Sequence, residues 1–273
     1  MSAKERLDRL LWLRGLAPSR EQARGLILAG AVSVEGRVVT KAGSQVDSEA
    51  SISLAGPTCP FVSRGGVKLE GALRCFQVPV EGRNVLDVGA STGGFTDCLL
   101  QRRAHRVIAL DVGRGQLEWK LRQDPRVIVM EGRNIRFLKK SDLPIPVDLA
   151  VIDVSFISLE IVLPAVVGLL TSPQEIVALV KPQFEVGKGK VGKGGVVRDP
   201  QQHRQVLERL VRFSQGLGLQ ILGVCVSALR GPKGNREFFL YLKGGAGGEQ
   251  NSEKVVPQIA EAVRQAWSTE DAV

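Results

Sequence analysis

The sequence predicts an α/β protein: a mostly parallel seven-stranded sheet with an antiparallel edge hairpin, preceded by a small α+β unit. Three observations carry this. From residue 85 onward, short apolar runs alternate with stretches of helical periodicity, the pattern of parallel strands joined by crossover helices. The last two apolar runs, Leu219–Ser227 and Phe238–Leu242, have no helical pattern between them, so they read as an antiparallel pair at one sheet edge. Residues 1–55 give two short helical patterns and then a hairpin signal.

In the small unit, Leu7, Leu10, Leu11 and Arg14 fall at helical spacing, and Gly15-Leu16-Ala17-Pro18 breaks that helix. Ser19 then begins a capping box with Gln22 at N3, ahead of Ala23, Leu26 and Ile27, and Gly30 is placed to end the second helix. Val32–Val39 holds two short β runs around a Glu35-Gly36 turn, and Ile52–Leu54 supplies a closing strand. Residues 56–67 read as a linker, and a helix follows to about Phe76. The parallel strands are expected at Val85–Val88, Val107–Asp111, Val127–Met130, Leu149–Asp153 and Ile176–Val180, within a domain spanning 68–243. Residues 244–273 read as a flexible tail with a terminal helix over Val255–Trp267.

Composition bounds the function. The chain has 273 residues, of which 44% are hydrophobic and 24% charged, so wholesale disorder is excluded. The longest apolar run, Ile161–Leu170, contains Pro164 and Gly168 and is too short for a membrane span. The N-terminus carries acidic residues and no apolar run of the secretory type. Cys59, Cys75, Cys98 and Cys225 form no CxxC pair, so reduced thiols and a cytoplasmic location are expected, with no metal site. Thirty-seven Lys+Arg against 28 Asp+Glu leave a net charge of +9, which suits a polyanionic partner such as nucleic acid.

Val85–Thr96 reads as a strand, a glycine-rich turn and a helix start. Glycines let the backbone approach a ligand. Asp111 ends the next strand 18 residues after Gly93, where an acidic residue accepts ribose hydroxyls. The spacing Gly89-x-x-x-Gly93-Gly94 does not fit the dinucleotide pattern, and Asp87 would repel a nearby phosphate. That carboxylate suits a cofactor with a cationic amine and sulfonium, S-adenosylmethionine (SAM).

Four more charged residues lie where an α/β sheet presents ligands: Lys68 after Arg64-Gly65-Gly66, Asp153 and Lys181 at strand ends, and Glu237 before the last strand. Each alone could be a solvated surface charge. Asp153 and Lys181, however, terminate strands expected to be buried on both faces. Lysines flanked by carboxylates suit the activation of a weakly acidic hydroxyl. There is no G-x-S-x-G, HExxH or P-loop, and His105 and His203 are the only histidines.

The Lys68–Asp153–Lys181–Glu237 pattern resembles the tetrad of FtsJ-like RNA 2′-O-methyltransferases, and residues 4–243 resemble the TlyA family. The blocks carrying this likeness include Arg6-Leu7-Asp8, Ser19-Arg20, Phe61–Leu69, Asp87–Thr96, Asp153–Ser158, Lys181–Glu185 and 187–199. The resemblance implies a Rossmann-like SAM-dependent methyltransferase fold behind an RNA-binding domain of the ribosomal-protein-S-four type. It implies methylation of cytidine 2′-hydroxyls in 16S and/or 23S ribosomal RNA, with ribosomal subunits as partners and no stable protein partner. It implies Lys181 as the general base or hydroxyl-positioning group, Asp153 as the residue that tunes it, and Lys68 and Glu237 as completing the hydrogen-bonded set. Asp87, Gly89, Ala90, Ser91, Gly93, Gly94, Phe95, Asp111, Asn134 and Asp153 would line the SAM site.

For RNA contact, Arg6, Arg9, Arg14, Arg20 and Arg24 lie in the small unit, with Arg64 at the entry to the larger one. Residues 1–55 carry eight Lys/Arg against six Asp/Glu, a net of only +2, so the RNA assignment there rests on pattern. The stretch 181–204 is denser, at +4, and its Lys188, Lys190 and Lys193 sit among glycines, in a loop expected to grip phosphates and order on RNA binding. Competing readings are a non-catalytic ribosome-assembly factor that retains a SAM site, a nicotinamide oxidoreductase and a membrane-active haemolysin. The intact tetrad, the glycine spacing and the lack of a lytic segment, respectively, count against them.

Overall fold

A computed structural model describes residues 4–28, 30–54, 59–187, 191–192, 194–244 and 252–268. The chain divides into two compact units, Met1–Pro60 and Phe61–Val273. The predicted RNA-contacting residues Lys188, Lys190 and Lys193 lie outside the described residues.

In the first unit, β1 (Lys4–Arg6) leads into α1 (Leu7–Leu13) and α2 (Arg20–Leu28), followed by β2 (Val32–Val34), β3 (Arg37–Val38), β4 (Gln45–Asp47) and β5 (Ile52–Leu54). Leu7, Leu11, Ala17, Ala23, Ile27 and Val32 form its core. Gln22 N donates to Ser19 Oγ at 3.2 Å, the capping contact the sequence predicts. Glu35 and Gly36 both have positive φ, as a hairpin turn of the primed type requires, and β3 and β5 flank β2 antiparallel. The β1–β4 pair is not foreseen by the sequence. Its strands are three residues long and largely polar, so only their partner across the unit marks them as strands.

The second unit contains α3 (Arg64–Phe76), β6 (Asn84–Val88), α4 (Gly94–Gln101), β7 (Arg106–Asp111), α5 (Trp119–Arg122), β8 (Val127–Glu131), β9 (Leu149–Ile152), α6 (Leu159–Leu169), β10 (Glu175–Val180), α7 (Pro182–Glu185), α8 (Pro200–Gly216), β11 (Leu219–Val226), β12 (Phe238–Gly244) and α9 (Ser252–Ser268). The seven strands are ordered β11-β12-β10-β9-β6-β7-β8, and β12 runs antiparallel to both neighbours. This is the mostly parallel sheet with an antiparallel edge hairpin expected from sequence. Because successive strand residues face opposite sides, Val85, Val151, Leu179 and Phe239 pack under α3 and α4. Leu86, Ile152, Val180 and Phe238 pack instead against α6, α8 and α9.

Two boundaries differ from the sequence reading. Residues 61–67 are not linker: Phe61 is buried in the larger core, Val62 N donates to Asp97 Oδ2 at 2.8 Å, and α3 already begins at Arg64. A single aromatic among polar and glycine residues gives no periodic signal, so its burial is a tertiary fact. The C-terminal helix is likewise no loose appendage. Val255, Ile259, Ala262 and Ala266 form one buried stripe that packs α9 onto α8 and β11.

Candidate active site

Strand parity assembles the site. Asp87 in β6 shares the face of Val85, directed toward α4. Asp153, Lys181 and Glu237 extend the same alternation just past β9, past β10 and before β12. Lys181 and Glu237 each lie one residue beyond the paired Val180 and Phe238, so the register makes them cross-strand neighbours. Helix α3 brings Lys68 to this face. Its Nζ donates to Glu237 Oε2 at 2.6 Å, with the glutamate side chain fully buried. Lys181 Nζ lies 2.6 Å from Asp153 Oδ1 and donates to Ser155 Oγ at 2.9 Å. The buried Lys68 and the half-buried Lys181 therefore each have a carboxylate partner, which offsets the cost of withdrawing their charges from water.

The glycine-rich turn sits beside these pairs. Gly89 has φ +87°, and a Cβ there would stand 2.5 Å from the Asp153 carbonyl oxygen, so only glycine lets the turn approach the β9 end. Gly93, at φ +96°, packs against Leu117 and Leu121 in the same way. Ser91 N donates to Asp111 Oδ2 at 2.8 Å and Gly113 N donates to Oδ1 at 2.7 Å, which fixes the Asp111 carboxylate at the end of β7. Ala90 N donates to Leu110 O at 3.1 Å, tying the turn to β7. Asp87 is fully buried. Burial pushes its carboxyl up to about 7, with the neighbouring Asp153 and Asp111 charges adding to the rise against a 2.6 Å hydrogen bond from Thr96 Oγ1. Its Oδ1 is buried with no hydrogen-bond partner among the described residues. An unsatisfied buried carboxylate oxygen beside a glycine turn fits a ligand with a cationic amine.

Other predicted residues fall elsewhere. Gly94 faces α3, since a Cβ there would overlap Ser63 Oγ, and the Phe95 ring lies in the core 6.3 Å from that of Phe239. Both shape the turn by packing. Asn134 caps the short turn Ile135–Phe137, accepting from Arg136 N at 3.1 Å. In the small unit, Asp8 is buried and gathers Arg6 at 2.9 Å, Arg20 at 3.3 Å and Arg24 at 4.0 Å. Arg6, first through its hydrogen bond, holds the Asp8 carboxyl down at about 2. Arg9 pairs with Glu5, whereas Arg14 is committed to the Ala50 and Ser48 carbonyls. Arg64 Nη2 donates to the Arg230 carbonyl at 3.3 Å.

Sequence reasoning missed four residues of the site. Thr96 bonds Asp87, and Ser155 bonds Lys181. Glu185 accepts from Ser158 Oγ at 2.7 Å and from Leu159 N at 2.8 Å, anchoring the segment after Asp153. Gly231 leaves the room that Glu237 occupies, since a Cβ there would overlap Glu237 Oε1. The parity of Thr96 and Ser155 relative to the candidate site carries no message in sequence, because both lie outside strands.

The profile of the FtsJ-like methyltransferases matches residues 61–244, which holds every member of both ion pairs. The chain belongs to that family. Its small unit matches the S4 domain over residues 5–52. This FtsJ-like methyltransferase is 50% identical over 244 residues to the 16S/23S rRNA (cytidine-2′-O)-methyltransferase TlyA of Mycobacterium tuberculosis, covering 89% of this chain and 91% of that one. A solved chain from Streptococcus thermophilus that carries a hemolysin label superposes with a TM-score of 0.78 at 42% identity, covering 98% of this chain and 97% of that one. A solved chain from Listeria monocytogenes, named for S-adenosylmethionine-dependent methyl transfer, covers 67% of this FtsJ-like methyltransferase and 98% of itself, with a TM-score of 0.51 at 14% identity; it shares the fold. Among the described residues, no helix is long and apolar enough to cross a membrane, and no cluster of His, Cys, Asp and Glu is arranged to hold a metal.

Proposed function

We propose that the chain transfers a methyl group from SAM to the ribose 2′-hydroxyl of a cytidine in 16S ribosomal RNA, 23S ribosomal RNA or both, in the cytoplasm. The observation that carries this reading is the placement of two lysine–carboxylate pairs on one sheet face beside the unsatisfied Asp87 oxygen. The name of the Mycobacterium tuberculosis relative supports the nucleotide and the RNAs. SAM supplies a methyl carbon made electrophilic by its positively charged sulfur. Asp87 would hold its amine and Asp111 its ribose hydroxyls, with the backbone of Gly89, Ala90, Ser91 and Gly93 between them. Asn134 Nδ2, which has no hydrogen bond among the described residues, is free to meet the adenine edge.

Lys181 acts on the target hydroxyl. Its amine takes the proton as the ribose O–H bond breaks, and the oxygen's electron pair forms the new O–C bond while the C–S bond opens. Asp153 holds the resulting ammonium at 2.6 Å. Lys68, itself held by Glu237, adds positive charge on the face where the alkoxide develops, and positioning in a mostly buried site lowers the barrier further. Arg6, Arg20 and Arg24 present phosphate-binding guanidiniums from the small unit. Incubation with tritiated SAM and ribosomal subunits lacking the modification is expected to label a 2′-O-methyl ribose. Lys181→Ala should bind SAM normally and lose at least a hundredfold in rate. A folded Lys181→Ala protein that methylates at the wild-type rate would refute the assignment.

A further inference from the structure

Lys181 has two partners, and both come from the short strap that follows β9. Asp153 Oδ1 lies 2.6 Å from its Nζ, and Ser155 Oγ accepts from the same nitrogen at 2.9 Å. The strap is pinned at both ends. Asp153 N donates to Val88 O at 2.9 Å, and at the far end Ser158 Oγ and Leu159 N both donate to the buried Glu185. Between them the Phe156 ring packs on that of Phe184, with centroids 4.8 Å apart. Ser155 is therefore carried on a fixed piece of backbone although its side chain is exposed.

A lysine nitrogen is tetrahedral: one direction is its own carbon, and three remain. A single partner fixes one of these and leaves the group free to rotate about that contact. Two partners at different positions fix the orientation, so the third direction is determined. With the Asp153 carboxylate held against one position at 2.6 Å and Ser155 Oγ accepting an N–H at another, the lone pair of the deprotonated amine falls on the third. We propose that Ser155 is a positioning residue for the reaction: with Asp153 it aims the Lys181 lone pair at the ribose hydroxyl. After proton transfer the same two contacts hold the ammonium, so no reorientation is needed during the step. This rests on the reading of Lys181 as the base.

The test compares full-length Ser155→Ala, Ser155→Thr and Lys181→Ala proteins, using tritiated SAM and unmodified ribosomal subunits. Ser155→Ala should lower kcat about tenfold, the scale of one lost positioning hydrogen bond, while the KM for subunits and the affinity for SAM stay within about twofold. Ser155→Thr, which keeps the hydroxyl, should recover most of the rate. A residue with a merely structural role would instead lower thermal stability or raise KM, and threonine would not restore kcat selectively. Wild-type kcat in Ser155→Ala alongside an inactive Lys181→Ala overturns the aiming role and leaves the base in place. An active Lys181→Ala overturns the base assignment, and the aiming role with it.

Discussion

Burial leaves Asp87 titrating at about 7, far above an ordinary aspartate, and this one residue sets two expectations. An acid whose folded value is raised binds its proton more tightly when folded. Its contribution to stability is therefore complete below the unfolded value of 3.8 and is lost as pH rises toward 7. At pH 8 the ionised carboxylate costs the ligand-free fold up to about 4 kcal/mol. Asp87→Asn, in which the amide oxygen still accepts from Thr96, should thus melt at a higher temperature than the wild type at pH 8 and bind SAM poorly; calorimetry checks both. In the wild type, SAM affinity should drop about tenfold between pH 7.5 and 6, as protonation of Asp87 competes with the amine. Titration calorimetry at the two pH values measures this, and a flat profile counts against the amine contact. Gly231 makes a steric claim. Gly231→Ala forces its methyl group onto Glu237 Oε1, so the Lys68–Glu237 pair must open. Methyl transfer should fall at least tenfold with SAM affinity retained, and a crystal structure of the variant should show Glu237 displaced. The sequence displayed Asp87, Asp153, Lys181 and Glu237 as charges at strand ends, but nothing in it announced Gly231, because the requirement is a gap for a side chain six residues away.

At the scale of elements, α9 closes the face of the sheet opposite the ion pairs. Trp267 Nε1 donates to His203 Nδ1 at 3.2 Å, and the Arg236 guanidinium stands 3.7 Å over the Trp267 ring. Arg236 Nε also donates to Ala266 O at 2.6 Å, near the negative end of the helix. These contacts tie α8, α9 and the entry to β12 together. Trp267→Ala should therefore cost about 2–3 kcal/mol of unfolding free energy in denaturant titration. Burial presses His203 down to about 4. A histidine depressed in the fold contributes stability that is present above its unfolded value of 6.5 and is lost as pH falls toward 4. His203→Gln should flatten the loss of stability over that window. Periodicity made the strands and the long helices legible, α9 included, because their apolar stripes repeat. It could not reveal the β1–β4 pair or the burial of Phe61, which depend on partners distant in sequence.

For the whole molecule, the net charge of +9 raises the question of which cations meet RNA. The small unit carries only +2 over residues 1–55, yet its buried Asp8 collects three half-exposed arginines. One carboxylate holds the three guanidiniums in one cluster, and that cluster is the phosphate contact proposed above. Substituting Arg6, Arg20 and Arg24 together by glutamine should raise the KM for ribosomal subunits and reduce the slope of log affinity against log salt by about 2, with SAM binding unchanged. Arg14→Gln should act on stability instead, since that guanidinium serves the Ala50 and Ser48 carbonyls. Filter binding across a salt series separates the two effects.

The sequence by itself determined the class of fold, the two-part organisation into an S4 unit and an FtsJ-like unit, the glycine turn and the four charged residues of the candidate site. These are properties of spacing, and spacing is written along the chain. Which residues meet was decided only in three dimensions. Strand parity and register turned Asp153, Lys181 and Glu237 toward Lys68, and the strap after β9 gave Lys181 a second partner in Ser155. Close packing also turned Gly94 and Phe95 toward α3, and it gave Arg14 a structural post. Contacts of this kind depend on distance and direction between segments, which a linear pattern does not specify.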